Sequence, residues 1–241
     1  MRYAILGDIH GNLEALEAVC GSLAGEDIDK FFCVGDIVGY GASPADCIYT
    51  IKKLEAVTVA GNHDWAAVDL VNADYFNDYA RAAILWTKDV IGPGEKEFLR
   101  SLKLVYGQDD FSIAHGTLDS PENFDYMLGS YTAARTFSAM DTGVCFVGHS
   151  HVAGAYWQVD RGIDYIFEPT IKVSENNKYI INAGSIGQPR DGDPKAAYCI
   201  YDTREGIIDI KRVRYDIKKA QDKILKAGLP EILAYRLEKG R

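Results

Sequence analysis

Nowhere in the 241 residues do roughly 18 or more apolar residues run together, so no segment reads as a membrane-spanning helix. Neither a basic leader nor a long apolar stretch precedes the strand-like Tyr3-Ala4-Ile5-Leu6, and a cleavable secretion signal is not expected. Cysteine is scarce. Cys20, Cys33, Cys47, Cys145 and Cys199 are odd in number, far apart and free of any Cys-x-x-Cys pair. That argues against a disulfide framework and against a thiolate zinc site, and it suits buried thiols in a reducing cytoplasm. Basic residues are also outnumbered, 26 Lys and Arg against 35 Asp and Glu, for a formal net charge of -9. A partner as long as DNA or RNA would need basic surface to displace its counterions, so the charge balance weighs against long nucleic acid as a partner. A small phosphorylated substrate is not excluded, because bound cations can reverse the local field.

What is present suits one well-filled domain over residues 1–241: 47% of the residues are hydrophobic, with no repeats, low-complexity tracts or charge blocks. Short β-branched and aromatic runs at 3–6, 31–34, 57–60, 111–114, 144–147 and 179–181 each end in a polar or glycine-rich loop. They are continuous rather than alternating, as strands buried on both faces should be. Leu13, Leu16, Val19 and Leu23 share a helical face, and 44–54 reads as a second helix with Ser43 as N-cap and Pro44 in the first turn. Strand–loop–helix alternation predicts an α/β layered fold. The segments 155–159, 197–201 and 207–215 read as consecutive antiparallel strands of a second, mixed sheet. Residues 65–98, with Tyr75, Phe76, Tyr79, Arg81, Trp86 and Lys88, form a mostly helical insertion placed to cover a site as a cap or simply to pack on the core. A helical pair at about 216–239 closes the chain. Its Leu225, Leu229, Ile232, Leu233 and Leu237 supply apolar surface for the sandwich or for a second subunit in a homo-oligomer, and packing on its own chain is the expectation.

The five histidines are distributed in a telling way. They stand in Asp8-Ile9-His10-Gly11, Gly61-Asn62-His63-Asp64, His115-Gly116 and Gly148-His149-Ser150-His151, each at the end of an apolar run, and Gly35-Asp36 has the same setting. In open α/β sheets ligands gather where loops leave the carboxyl ends of strands. Asp8, His10, Asp36, Asn62, His115, His149 and His151 thus offer two carboxylates, one amide oxygen and four imidazoles at one rim. Seven donors exceed what one ion needs and fit two neighbouring ions with a shared carboxylate. Mixed oxygen and nitrogen donors suit Mn, Fe, Zn, Ni or Co rather than calcium or a cysteine-held zinc.

These motifs, in this order from residue 3 to about 190, resemble those of the calcineurin-like metallophosphoesterases. The segment Gly184-Ser185-Ile186-Gly187-Gln188-Pro189-Arg190 is similar to that of the small branch containing YfcE-like phosphodiesterases and diadenosine tetraphosphatases. The resemblance implies a four-layer α-β-β-α sandwich with two mixed sheets. It implies that Asp8, His10 and His151 hold one ion, that Asn62, His115 and His149 hold the other, and that Asp36 bridges them. It further implies hydrolysis of small phosphodiesters or phosphoanhydrides by metal-bridging hydroxide. His63, which is no ligand there, would act on the leaving oxygen or the phosphoryl group, and Asn62 would also contact substrate. Arg190 is a second substrate-binding candidate, its rival role being a surface pair with Asp191 or Asp193. Asp64 either orients His63 or caps a helix, and Asn12 either reaches substrate or caps the helix at Leu13. Arg81 and Tyr126 are weaker candidates on the cap. The substrate would be a small phosphorylated molecule such as a nucleotide, with dinucleoside polyphosphates second. A non-catalytic scaffold of the same fold and a nuclease are the rival classes.

Overall fold

The computed structural model describes residues 1–159, 162–174 and 176–241. The chain begins with three parallel strands and their connections: β1 (Arg2–Leu6), α1 (Leu13–Leu23), β2 (Lys30–Cys33), α2 (Pro44–Lys53) and β3 (Val57–Thr58). Three helices follow, α3 (Asn62–Ala66), α4 (Asp78–Val90) and α5 (Pro93–Ser101). A second set comprises β4 (Val105–Gly107), β5 (Phe111–Ala114), α6 (Ser130–Ala139), β6 (Val144–Val147), β7 (Gly154–Val159), β8 (Gly162–Ile166), β9 (Thr170–Lys172) and β10 (Tyr179–Asn182). The chain closes with β11 (Ala196–Asp202), β12 (Ile207–Val213), α7 (Ile217–Lys226) and α8 (Glu231–Tyr235). Two six-stranded mixed sheets result, in the orders β3-β2-β1-β11-β12-β9 and β4-β5-β6-β10-β7-β8.

The uninterrupted apolar runs are explained by burial on both faces. In β1, Tyr3 and Ile5 face the layer between the sheets, while Ala4 and Leu6 join Leu16 and Val19 of α1 in the outer layer. In β6, Val144 and Phe146 point inward, while Cys145 and Val147 meet Phe137 of α6. Phe32, Phe111 and Phe146 cross the inner layer edge to face, with ring centroids 4.9 and 5.4 Å apart. All five cysteines are free, four of them buried. Among the described residues no helix is long and apolar enough to cross a membrane.

One expectation about topology is corrected. Residues 155–159 do not share a sheet with the last two strands. They form part of β7, between β8 and β10, whereas β11 and β12 run antiparallel beside β1 in the other sheet. The cause is the crossing after β10. The backbone turns at Gly184 (φ 73°), bridges to Asp8 through Ser185, and re-enters along the free edge of β1. The final helical pair, expected to run to about 239, is α-helical only to Tyr235, where α8 ends before a 3-10 turn over Leu237–Lys239. It packs on its own chain, where Leu229, Leu233 and Leu237 meet Ala80 and Ala83 of α4 and Tyr40. Within 65–98, Phe76 and Trp86 pack against this cluster, while Tyr75 and Tyr79 stay exposed.

Candidate metal centre

All seven side chains named above come together at one rim, each on the loop leaving a strand. Asp8 and His10 follow β1, Asp36 follows β2, and Asn62 opens α3 just after β3. His115 follows β5, and His149 and His151 follow β6. Asp8, His10, Asp36 and His151 place one donor atom each within 4.8 Å of one another, and Asp36, His115 and His149 do the same. Asp36 belongs to both groups. Its Oδ2 lies 3.6 Å from His10 Nε2 and 3.2 Å from His115 Nε2. The Asn62 amide oxygen and His149 Nδ1 each lie 3.1 Å from His115 Nε2.

The hydrogen bonds around the cluster fix how its imidazoles point. The Nδ1 atoms of His10, His115 and His151 donate to the carbonyls of Val38, Val34 and Gln188 at 3.0, 2.8 and 2.6 Å. Those partners select the tautomer and turn each Nε2 inward, an outer-shell arrangement typical of metal ligands. His10 Nε2 and His151 Nε2 then face each other at 2.9 Å. Burial pushes both rings well below the usual histidine range, so neither has a proton to share. A cation between them resolves that conflict. Two donors about 2.1 Å from one ion, at right angles, stand roughly 3.0 Å apart, which is the spacing here. Asp8 Oδ2 is buried and has no hydrogen-bond partner, as a free ligand atom would be. The donor set therefore fits divalent metal binding by the two overlapping groups that share Asp36.

The electrostatics agree. Burial, with Asp36 adding to it, pushes the Asp8 carboxyl up to about 7. Burial acts on Asp36 too, but attraction to His115 and His63 outweighs it and holds Asp36 well below the carboxylate range. For His115 burial opposes the charged form, yet Asp36 and Asp8 overcome it and raise the ring to about 9. A proton on His115 thus supplies the positive charge for which this buried acidic pocket selects. Burial leaves His149 neutral, the form that ligates. The backbone is strained in the same place: His10, Asp36, His149 and His151 have φ of 50°, 53°, 63° and 59°.

His63 stands beside the donors without joining them. Its ring packs on His10, Tyr40 and Phe76 at centroid distances of 4.8, 4.5 and 5.0 Å. Its Nδ1 is buried without a partner, and its backbone N–H donates to Asp36 Oδ1 at 2.9 Å. Burial pushes the ring down to about 4. The other candidates sort cleanly. Asn12 caps α1 by accepting from Ala15 N–H, and its amide donates to the Gly187 carbonyl. The Asp64 carboxylate does not touch the His63 ring; it accepts from the N–H groups of Ile37, Val38 and Gly61, tying the Asp36 loop to the start of α3. Arg190 pairs with neither Asp191 nor Asp193: its guanidinium donates to Gln188 Oε1 at 3.0 Å and Tyr40 Oη at 3.3 Å, while Asp191 bonds Arg212. Arg81 pairs with Asp74 at the surface, and Tyr126 stacks on His149 at 3.9 Å and 20°.

Sequence reasoning missed Tyr40, which touches His10, His63 and Arg190 at once, and Gln188, whose carbonyl orients His151. The available signal for Tyr40 was its place between Gly39 and Gly41 in a loop of unusual φ, 58° at the tyrosine itself. Over the cluster opens a cleft of about 530 Å³ whose floor is Asn62, His63 and His149.

Comparison with known proteins agrees with this architecture. An uncharacterized protein of Methanocaldococcus jannaschii is 44% identical over 242 aligned residues, spanning 99% of this chain and 98% of its own. A metallophosphoesterase of Sphaerobacter thermophilus is 36% identical and superposes with a TM-score of 0.88, covering all of both chains. A hypothetical protein of Pyrococcus horikoshii OT3 shares the fold at a TM-score of 0.81 and 21% identity, over 100% of this chain and 98% of that one. The model of the calcineurin-like phosphoesterase superfamily domain matches residues 1–206, and the chain belongs to that family.

Proposed function

We propose that the protein hydrolyses small phosphate esters with two transition-metal ions, Asp8, His10 and His151 holding one, Asn62, His115 and His149 the other, and Asp36 between them. The observation that carries the proposal is the set of inward-facing imidazole nitrogens and carboxylate oxygens 2.9–3.6 Å apart, each imidazole fixed from behind by a carbonyl or held by a stacked ring. When bound, such ions bring the pKa of a water toward neutrality and offset phosphoryl charge. The chain's own groups then bind and orient. Because the buried Nδ1 of His63 lacks an acceptor, the proton belongs on Nε2, and the neutral ring donates that N–H toward a phosphoryl or leaving oxygen in the cleft. The Asn62 side chain contacts the ester as well as an ion. Arg190, braced by Gln188 and Tyr40, steadies negative charge at the edge of the site. Residues 65–98 act as a cap over a domain formed by the whole chain, and four buried thiols suit a cytoplasmic setting.

The test is turnover of a phosphodiester such as bis(p-nitrophenyl) phosphate by protein stripped of metal and reloaded with Mn, Zn, Ni, Co or Mg. Activity that appears with about two ions per chain is the expected result. His63→Ala should lower turnover at least about tenfold with both ions retained. Absence of turnover with every ion would favour a scaffold of the same fold.

A further inference from the structure

The cleft over the metal centre has walls that tell what kind of ester fits. Its lining includes four aromatic rings, Tyr75 and Phe76 from the stretch between α3 and α4, and Phe124 and Tyr126 from the stretch after β5. Tyr75 is 85% exposed and lines the cleft, so its ring is open to a ligand. Tyr126 lies flat on His149, leaving its other face toward solvent at 44% exposure. Hydrogen-bonding groups between these walls are mostly neutral. Asn72 and Asn77 spend their Oδ1 atoms on the backbone N–H groups of Asp74 and Ala80, so what they offer a ligand is amide N–H.

Charge is the discriminating feature. None of the cleft's lining residues is Lys or Arg, and Glu122 is its one carboxylate. Arg190 is held by Tyr40 and Gln188 at the edge of the metal centre and does not line the cleft, and Arg81 is paired with Asp74 at the surface. A chain of additional phosphates lying in the cleft would run along an uncharged aromatic lining and past Glu122, with no cation among the lining residues to neutralise it. A flat, uncharged ring would instead gain stacking area on these aromatic rings and find N–H donors and a carboxylate for its polar edge.

We infer that the cleft takes the organic part of the substrate, and that this part is a planar, uncharged aromatic group, a nucleoside or an aryl alcohol, carried on a single phosphate rather than on a polyphosphate. This deepens the phosphoesterase reading and rests on it for the position of the phosphate. It turns away from the dinucleoside polyphosphates that the aromatic cap alone would have allowed.

The test separates the two claims by using ligands that cannot be hydrolysed. Calorimetric titration of the Mn-loaded full-length protein with phenylphosphonate and with methylphosphonate should give at least about a tenfold tighter Kd for the phenyl compound. Tyr75→Ala should cut that ratio to about threefold or less, and Tyr126→Leu supplies a second variant should the first fail to fold. Glu122→Lys should raise affinity for diadenosine tetraphosphate at least about fivefold relative to phenylphosphonate. Turnover of adenosine and uridine monophosphates against p-nitrophenyl phosphate and glycerol 2-phosphate then separates a nucleoside from a general aryl preference, either of which exceeds the alkyl ester if the inference holds. Equal Kd values for the two phosphonates, or tighter binding of diadenosine tetraphosphate by the unaltered protein, would overturn the inference while leaving phosphoesterase activity standing. Phenyl preference with no hydrolysis of any ester would sink the catalytic reading and keep the cleft.

Discussion

Gly61→Ala isolates Asp36, the carboxylate proposed to lie between two ions. Gly61 has φ -95° and ψ 168°, an extended conformation open to any residue, so the substitution adds a methyl group without straining its own backbone. That methyl would lie 2.6 Å from Asp36 Cγ, and closer still to Oδ1 and to the backbone nitrogen of the same residue, where side-chain carbons essentially never come nearer than 3.0 Å. Asp36 must therefore retreat by more than about 0.4 Å at Cγ, against a tolerance of about 0.2 Å for a metal–ligand distance. A rotamer change gives no relief, because the backbone nitrogen is crowded too. Displacement carries Oδ2 away from His10 and His115 and disturbs the bond from His63 N–H to Oδ1. Overpacking of this kind costs about 1–3 kcal/mol, or roughly 2–4 °C in Tm for each kcal/mol in a chain of this size. Metal affinity should fall about 10–100-fold and turnover by about 100-fold, with the far-UV circular dichroism retained. Elemental analysis of the dialysed variant, thermal melts and steady-state kinetics read the three effects. Two tightly held ions with undiminished turnover would refute the placement of Asp36 between them.

Three further outcomes follow from other parts of the molecule. Gly21 lies within α1 with open space where a side chain would go, so Gly21→Ala should raise stability by about 0.5–1 kcal/mol in a denaturant melt, and no gain would contradict the helical assignment. Glu14 is buried and bound by Lys223 at 2.6 Å and Lys219 at 3.3 Å; burial raises its carboxyl pKa, but the bonds outweigh burial and lower it. A lowered folded-state value gives stability that is present above the unfolded glutamate range and lost as pH falls through the folded-state value, so Lys223→Met should cost about 1–2 kcal/mol at pH 7 and progressively less in acid as Glu14 takes up its proton, as a series of urea melts over pH would show. Arg190→Ala should raise KM about tenfold with metal content unchanged, and an unaltered KM would return Arg190 to a purely structural role bracing Tyr40.

Strand existence was legible because β1, β5, β6 and β10 are buried on both faces, which writes an unbroken apolar run into the chain. Partnership was not. The short β8, Gly-Ile-Asp-Tyr-Ile, sits at a sheet edge with a half-wet pattern that carries no continuous run, so β7 was left without its true neighbour. Nothing local in Ala196–Asp202 says which sheet it joins; that is decided by the crossing at Gly184 and the free edge of β1. The site shows the same division. Donor types are readable, because imidazole and carboxylate are the chemistry, whereas Tyr40 acts by packing on His10 and His63, and apart from its flanking glycines its sequence gives no sign of that role.

Backbone geometry gives an argument for function that side-chain chemistry alone does not. A loop that needs only a positive φ is served by glycine, and Gly11, Gly35, Gly39 and Gly184 do this around the same rim. Yet His10, Asp36, His149 and His151 occupy left-handed conformations too, at a cost of roughly 1–2 kcal/mol each. Together that is roughly 4–8 kcal/mol, comparable with the whole net stability of a typical domain. Capping or packing would not require an imidazole at those positions, since the carbonyls of Val38 and Gln188 could be met by water or by another donor. The strain makes sense as the cost of aiming lone pairs at a common point: the left-handed turn reverses the chain directly after β1, β2 and β6, so that donors from both sheets point back over the strand ends. A cation bound among those donors offsets that strain as well as the repulsion between them. Stability and metal affinity in this protein are therefore one coupled quantity.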